Sequence, residues 1–121
     1  MKAVFDHNLP KRFRQLLPGH DIATAREMGW EALGNGKLLR AAADSGFEAF
    51  VAVDKKIEHE QNLKTLPLPV IVLDARTNSF EGVQPFAPFV LRVLDNPLSN
   101  RLYLIEITGN VLELIAPRRK T

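Results

Sequence analysis

The chain contains no cysteine. That excludes a disulfide framework, a thiolate zinc site and a thiol nucleophile, and it suits a reducing compartment, so a cytoplasmic location is expected. Long apolar runs are missing too. Nothing approaches the roughly 18 consecutive apolar residues of a membrane span, and the N-terminus has no signal-peptide core, so no membrane partner is expected. Aromatic residues make up only 7%, with Trp30 the single tryptophan. Trp30 could stack a base, although one tryptophan in a loop more often covers a core edge. Nor is there an excess of charge of one sign: 16 Lys and Arg against 14 Asp and Glu give +2, too little by itself to mark a nucleic-acid binder.

What is present is a soluble globular composition, 45% hydrophobic and 25% charged over 121 residues. This length suits one domain over residues 1–121 with its own core. An aspartate recurs after three short hydrophobic runs: Asp6 after Lys2-Ala3-Val4-Phe5, Asp54 after Phe50-Val51-Ala52-Val53, and Asp74 after Val70-Ile71-Val72-Leu73. Runs that are apolar on both faces read as buried parallel strands. In open α/β sheets the ligand crevice lies outside the carboxyl ends of the strands, so these aspartates can converge there on a hard divalent cation. Cations follow them: Lys11, Arg12 and Arg14 come after Asp6, Lys55 and Lys56 directly after Asp54, and Arg118-Arg119-Lys120 form a basic tail.

Between the runs the spacing alternates. Leu9, Phe13, Leu16 and Leu17 form a helical stripe with Pro10 in its first turn, and Pro18-Gly19 stops it. Residues 21–25 make a weaker strand. Asn35 is placed as the N-cap of a helix through Asp44 that buries Leu38, Leu39 and Ala42 and ends at Ser45-Gly46. Residues 47–53 form the third strand, 55–63 allow a short helix, and 69–73 form the fourth strand. The segment 80–94 is helix-spaced, with its regular part starting between Pro85 and Pro88. Residues 102–107 and 111–115 flank Thr108-Gly109-Asn110 as a closing hairpin. The pattern predicts a three-layer α/β domain: a mostly parallel central sheet with helices on both faces, right-handed crossovers and a C-terminal antiparallel hairpin.

Val4-Phe5-Asp6-His7-Asn8-Leu9-Pro10, followed by Gly19-His20-Asp21-Ile22, resembles the small bacterial PIN-like family, whose members open with Asp-Glu-Asn-Leu-Pro and continue with Gly-His-Asp-Val. Asn35-Gly36-Lys37-Leu38-Leu39 stands where that family has Asp-Glu-Glu-Ile-Leu, and Val53-Asp54-Lys55-Lys56-Ile57 where it has a Thr-x-Asp-x-Asp-Phe block. The resemblance covers about residues 2–75. It implies a PIN-type fold and an acidic pocket for magnesium or manganese. It further implies metal-dependent cleavage of RNA, often by the toxin of a toxin–antitoxin pair, so RNA and an antitoxin protein are the implied partners. Asp6 and Asp54 match the family's acidic positions and are the expected catalytic residues and metal ligands. His7, Asn35 and Lys56 stand where the family carries acids.

These replacements weaken affinity for a divalent ion. His7 offers a nitrogen donor, Asn35 a carbonyl oxygen, and Asp74 a third carboxylate at a strand end. Arg12, Arg14, Lys55 and Lys56 are the expected RNA-binding cations. A phosphoacceptor receiver domain shares the strand-end aspartates, but the stretch from Asp54 to Asp74 is too short for the helix it needs, and the final hairpin lacks its lysine. The alternative function is a non-catalytic PIN-like module that binds RNA or oligomerises. Phe86, Phe89 and Val93, off the main stripe of the last helix, suggest a second buried face and hence a homodimer.

Overall fold

Strands Val70–Leu73 (β4) and Ala49–Ala52 (β3) are apolar at every position and buried throughout, the signature of parallel strands covered on both faces. In the computed structural model, which describes residues 1–118, they occupy the middle of a six-stranded sheet with order β2-β1-β3-β4-β5-β6. Here β1 is Lys2–Phe5, β2 Asp21–Thr24, β5 Leu102–Ile105 and β6 Val111–Leu114. β1 to β5 are mutually parallel and β6 closes the sheet antiparallel to β5. The fold class is thus α/β with a mostly parallel sheet and a C-terminal antiparallel pair. Its first five strands share the order of doubly wound sheets, reversing direction between β1 and β3.

Side-chain alternation divides the core between the two faces. Ala3, Phe5, Ala49, Val51, Ile71, Leu73 and Ile105 point to one face, against Leu9, Phe13 and Leu17 and against Val83, Phe86, Val90 and Leu94. Val4, Phe50, Ala52, Val70, Val72, Leu102 and Leu104 point to the other. There they meet Leu38, Leu39 and Ala42 of helix α1 (Asn35–Asp44) and Ile57 of helix α2 (Ile57–Glu60).

Several local expectations change in the structure. The first helix is a 3₁₀ helix, Lys11–Leu16, with Pro10 as its N-cap. Its bonds run from Phe13 to Pro10 and from Leu17 to Arg14. Pro18 disfavours α conformation at Leu17 and so blocks extension. The N-cap of α1 is Gly34, without a side-chain cap, and Asn35 is already helical. The segment over 80–94 divides into α3 (Phe80–Val83), a 3₁₀ turn at Gln84–Phe86 and α4 (Ala87–Leu94), because Pro85 has no N–H to continue the ladder.

The expected second face of the last helix is satisfied within the chain. Phe86 is wholly buried and Val93 nearly so. Phe89 packs on the hairpin turn at Gly109, where an added Cβ would lie 2.9 Å from the Phe89 ring. Gly109 has φ +94°, so both the turn and the ring demand glycine there. Phe86 and Val93 are thus buried within the chain and offer no surface for a dimer. Trp30 also faces inward, edge-on to Phe47 at 5.9 Å. His20 bridges the N-terminal amine and Asp95. No helix among the described residues is long and apolar enough to cross a membrane. Of the basic tail, Arg118 is described, and Arg119 and Lys120 lie outside the described residues.

Candidate functional site

Because β1 and β3 are neighbours, their carboxyl ends lie side by side where the sheet order reverses. Asp6 leaves β1 with its backbone N–H still donating to Val51 O at 2.9 Å, so its backbone is held by the sheet. Its residue exposure is only 3%. Burial pushes the Asp6 carboxyl above its ordinary pKa, the His7 backbone N–H and the His7 ring oppose that rise, and the neighbouring Asp54 charge adds to it. Asp6 and Asp54 thus follow adjacent strand ends, and the Asp54 charge acts on Asp6 less than burial does. Asp54 is half-buried. One of its oxygens, Oδ1, accepts the Lys56 backbone N–H at 2.9 Å in an Asx turn that directs the chain into α2.

A cleft of two lobes opens over this edge. The larger, about 650 Å³, is lined by Asp6, His7, Asn8, Thr24, Glu27 and Glu31 among others. The smaller, about 260 Å³, is lined by Asp54, Lys56, Arg76 and Thr77 among others. Asn8 and Asn78 line both lobes and so mark their junction. Within the larger lobe most charges are already matched: Glu27 pairs with Lys11 and Arg14, and Arg26 with Glu31, while Asp6 makes no salt bridge among the described residues. Thr24 and Glu27 exchange hydrogen bonds, each backbone N–H donating to the other's side chain, the reciprocal arrangement of a capping box.

The Arg14 guanidinium, with the Thr24 N–H, holds the Glu27 carboxyl down at about 2. A carboxyl depressed in the folded state contributes stability above its unfolded pKa and loses it as pH falls through the folded value. For Glu27 that window runs from 4.5 down to about 2.

The smaller lobe has a different balance. Neither Lys56 nor Arg76 makes a salt bridge among the described residues, so against Asp54 the lobe carries an excess of positive charge.

The other expected site residues are dispersed. Asp74 ends β4, on the same edge, but its Oδ1 lies 2.6 Å from the Lys55 ammonium, and it lines neither lobe. Asn35 lines neither lobe and donates instead to Glu60 at 3.3 Å, tying α1 to α2. His7 lines the larger lobe. Among the described residues no three His, Asp or Glu side chains gather where they could hold a metal ion. The cations also sort differently from expectation. Arg14 is committed to Glu27 and to the Ile22 carbonyl, Lys55 to Asp74, and the Arg12 guanidinium lies 4.0 Å from the centre of the Phe80 ring. Of the four expected RNA-binding cations, only Lys56 lines the cleft.

Sequence reasoning missed Arg76, Asn78, Glu27 and Glu31. The Thr24-x-x-Glu27 spacing was a legible capping-box signal for Glu27. Arg76 and Asn78 sat unnoticed in a stretch that reads only as a turn.

No protein-family model matches the chain, and no curated protein or solved structure matches it.

Proposed function

We propose that the chain is a three-layer PIN-like protein that acts on RNA at this cleft, as a metal-dependent endoribonuclease whose acidic pair is Asp6 and Asp54. The observation that carries the reading is that Asp6 and Asp54 follow neighbouring parallel strands at the reversal point of the sheet, with Asp6 almost wholly buried there. Two carboxylates are too few for a dedicated cage, yet magnesium commonly binds one or two carboxylates together with waters and substrate phosphates. The donor set therefore suits an ion shared with a phosphate, magnesium or manganese, held by Asp6 and Asp54 with the His7 ring nearby. Such an ion activates water and neutralises charge on the phosphate. The chain's own part is to fix Asp6 through the β1–β3 ladder and Asp54 through the Lys56 N–H. Lys56 and Arg76 supply positive charge for the adjoining phosphates. A toxin role with a partner antitoxin rests on the family resemblance.

The second reading is a PIN-like module that binds RNA without cutting it. It is favoured by the absence of a third acidic residue in reach among the described residues and by a lysine where the family has an aspartate. One experiment separates the two: incubation of purified protein with a labelled single-stranded oligouridine in magnesium or manganese. Cleavage by the parent that is lost in Asp54→Asn supports the nuclease. Binding without cleavage in either ion supports the module.

The same probe tests the cation assignment. Changing both Lys56 and Arg76 to alanine should weaken binding and lower the slope of log affinity against log salt by up to about 1.4, near 0.7 per phosphate contact on a single strand. Lys55→Ala should leave that slope unchanged, because its ammonium is already paired with Asp74. A slope that falls as much for Lys55→Ala as for Lys56→Ala would refute the assignment.

A further inference from the structure

Helix α2 has only four residues, too few to be stable by its own hydrogen bonds. It is held from outside. Ile57 is buried in the core, Lys55 just before it pairs with Asp74, and Glu60 takes the Asn35 amide. The most heavily bonded tether is Glu58. Its carboxylate accepts from the Arg118 backbone N–H, from Nε at both oxygens and from Nη2 at 2.9 Å. The chain leaves β6 at the amino edge of the parallel strands, where Leu114 pairs with Leu102, and comes back as a strap that reaches the turn following Asp54 at Arg118.

The side chain of Glu58 is only 2% exposed. Burial alone would raise its pKa, yet the Arg118 hydrogen bonds outweigh it and leave the carboxyl below its ordinary range. Arg118 is correspondingly raised by Glu58, and it also feels Asp74 and Glu106 at the neighbouring strand ends. The guanidinium therefore neutralises Glu58 and offsets some of the negative charge of Asp74 and Glu106 at the strand ends.

We propose that Arg118 is a positioning residue for the cleft: from the C-terminal strap it fixes the turn 54–60, and so sets where Lys56 meets an RNA phosphate. The proposal rests on the RNA reading above. Without the clamp, Glu58 turns toward water and draws the single turn of α2 with it, and the edge gains an uncompensated carboxylate. Lysine cannot replace the fork, since an ammonium offers a point charge where the guanidinium engages both oxygens.

Hydrogen exchange of the turn amides and oligouridine binding across a salt series test this on the full chain. In Arg118→Ala the amides of residues 56–61 should exchange at least about tenfold faster, and the salt slope should fall by about 0.7, as it does in Lys56→Ala. Arg118→Lys should not restore either quantity. Glu58→Gln, which retains the shape of the side chain, should reproduce both changes in weaker form. The double variant Arg118→Ala with Lys56→Ala should lose no more slope than Lys56→Ala alone, because both changes remove the same contact. A purely structural tether would leave the slope untouched or give additive losses, and either result overturns the positioning role, as would unchanged exchange in Arg118→Ala. If the parent fails to bind oligouridine at all, the RNA reading falls and takes this role with it. An unchanged slope in a parent that does bind removes Arg118 alone.

Discussion

Asp6→Asn should melt at a higher temperature than the parent at pH 7 and, under the nuclease proposal, should cut RNA roughly 100-fold or more slowly, the scale of removing a positioned acid–base or ligand group. The two effects share one cause. The Asp6 carboxyl is buried, and its pKa in the folded protein lies above the unfolded value. The native state therefore keeps its proton at pH values where the unfolded chain has released it. The stability linked to that proton is present below the unfolded pKa, about 4, and is lost as pH rises through the folded value. At neutral pH the ionised carboxylate is thus a burden that asparagine removes. Near pH 3 the carboxyl is protonated in both states, so the advantage of the variant should vanish there. Thermal melts of both proteins at pH 3 and pH 7, beside a cleavage assay, check this. A variant that is less stable at pH 7 would mean that Asp6 is a structural cap and not a carboxylate held against its own desolvation.

How much of this was legible in the sequence differs by residue. The runs around Val51 and Ile71 announced buried parallel strands because nothing polar interrupts them, and Gly109 between two alternating runs announced the hairpin. Asp6 and Asp54 were legible for the same reason: a carboxylate directly after an apolar strand is placed by the strand. The strand order was not, since adjacency of β1 to β3 depends on pairing between segments far apart in the chain. The fates of the cations were hidden as well. Lys55 and Lys56 look alike in sequence, but the Asx turn at Asp54 sends one toward Asp74 and leaves the other lining the cleft. Arg14 had a partner, Glu27, thirteen positions away, which no local periodicity reveals. Glu58 read as one more acid in a polar run, and only the returning C-terminal segment makes it a buried group.

Phe50→Ala should be the most damaging single truncation of the core. Phe50 has no exposed surface, lies on β3 between Val4 of β1 and Val70 of β4, and shares a cluster with Leu38, Leu39 and Ala42 of α1. Its neighbours on both sides are ladder-bound strands, so the backbone cannot close over the space left by the ring, and cavity and transfer terms both apply. Such a change costs about 3–5 kcal/mol, a large share of the roughly 5–15 kcal/mol that holds a domain together. The melting temperature should drop by roughly 10–25 °C. Ile71→Val, one methylene smaller on the opposite face of β4, should cost only about 0.5–1.5 kcal/mol. Asp54 follows the same strand, so Phe50→Ala should also weaken oligouridine binding at temperatures where the variant is still folded, through a loosened β1–β3 edge. Denaturant melts of the three proteins at one temperature decide the ranking. A Phe50→Ala variant as stable as Ile71→Val would show that α1 can settle onto the sheet and close the space left by the ring.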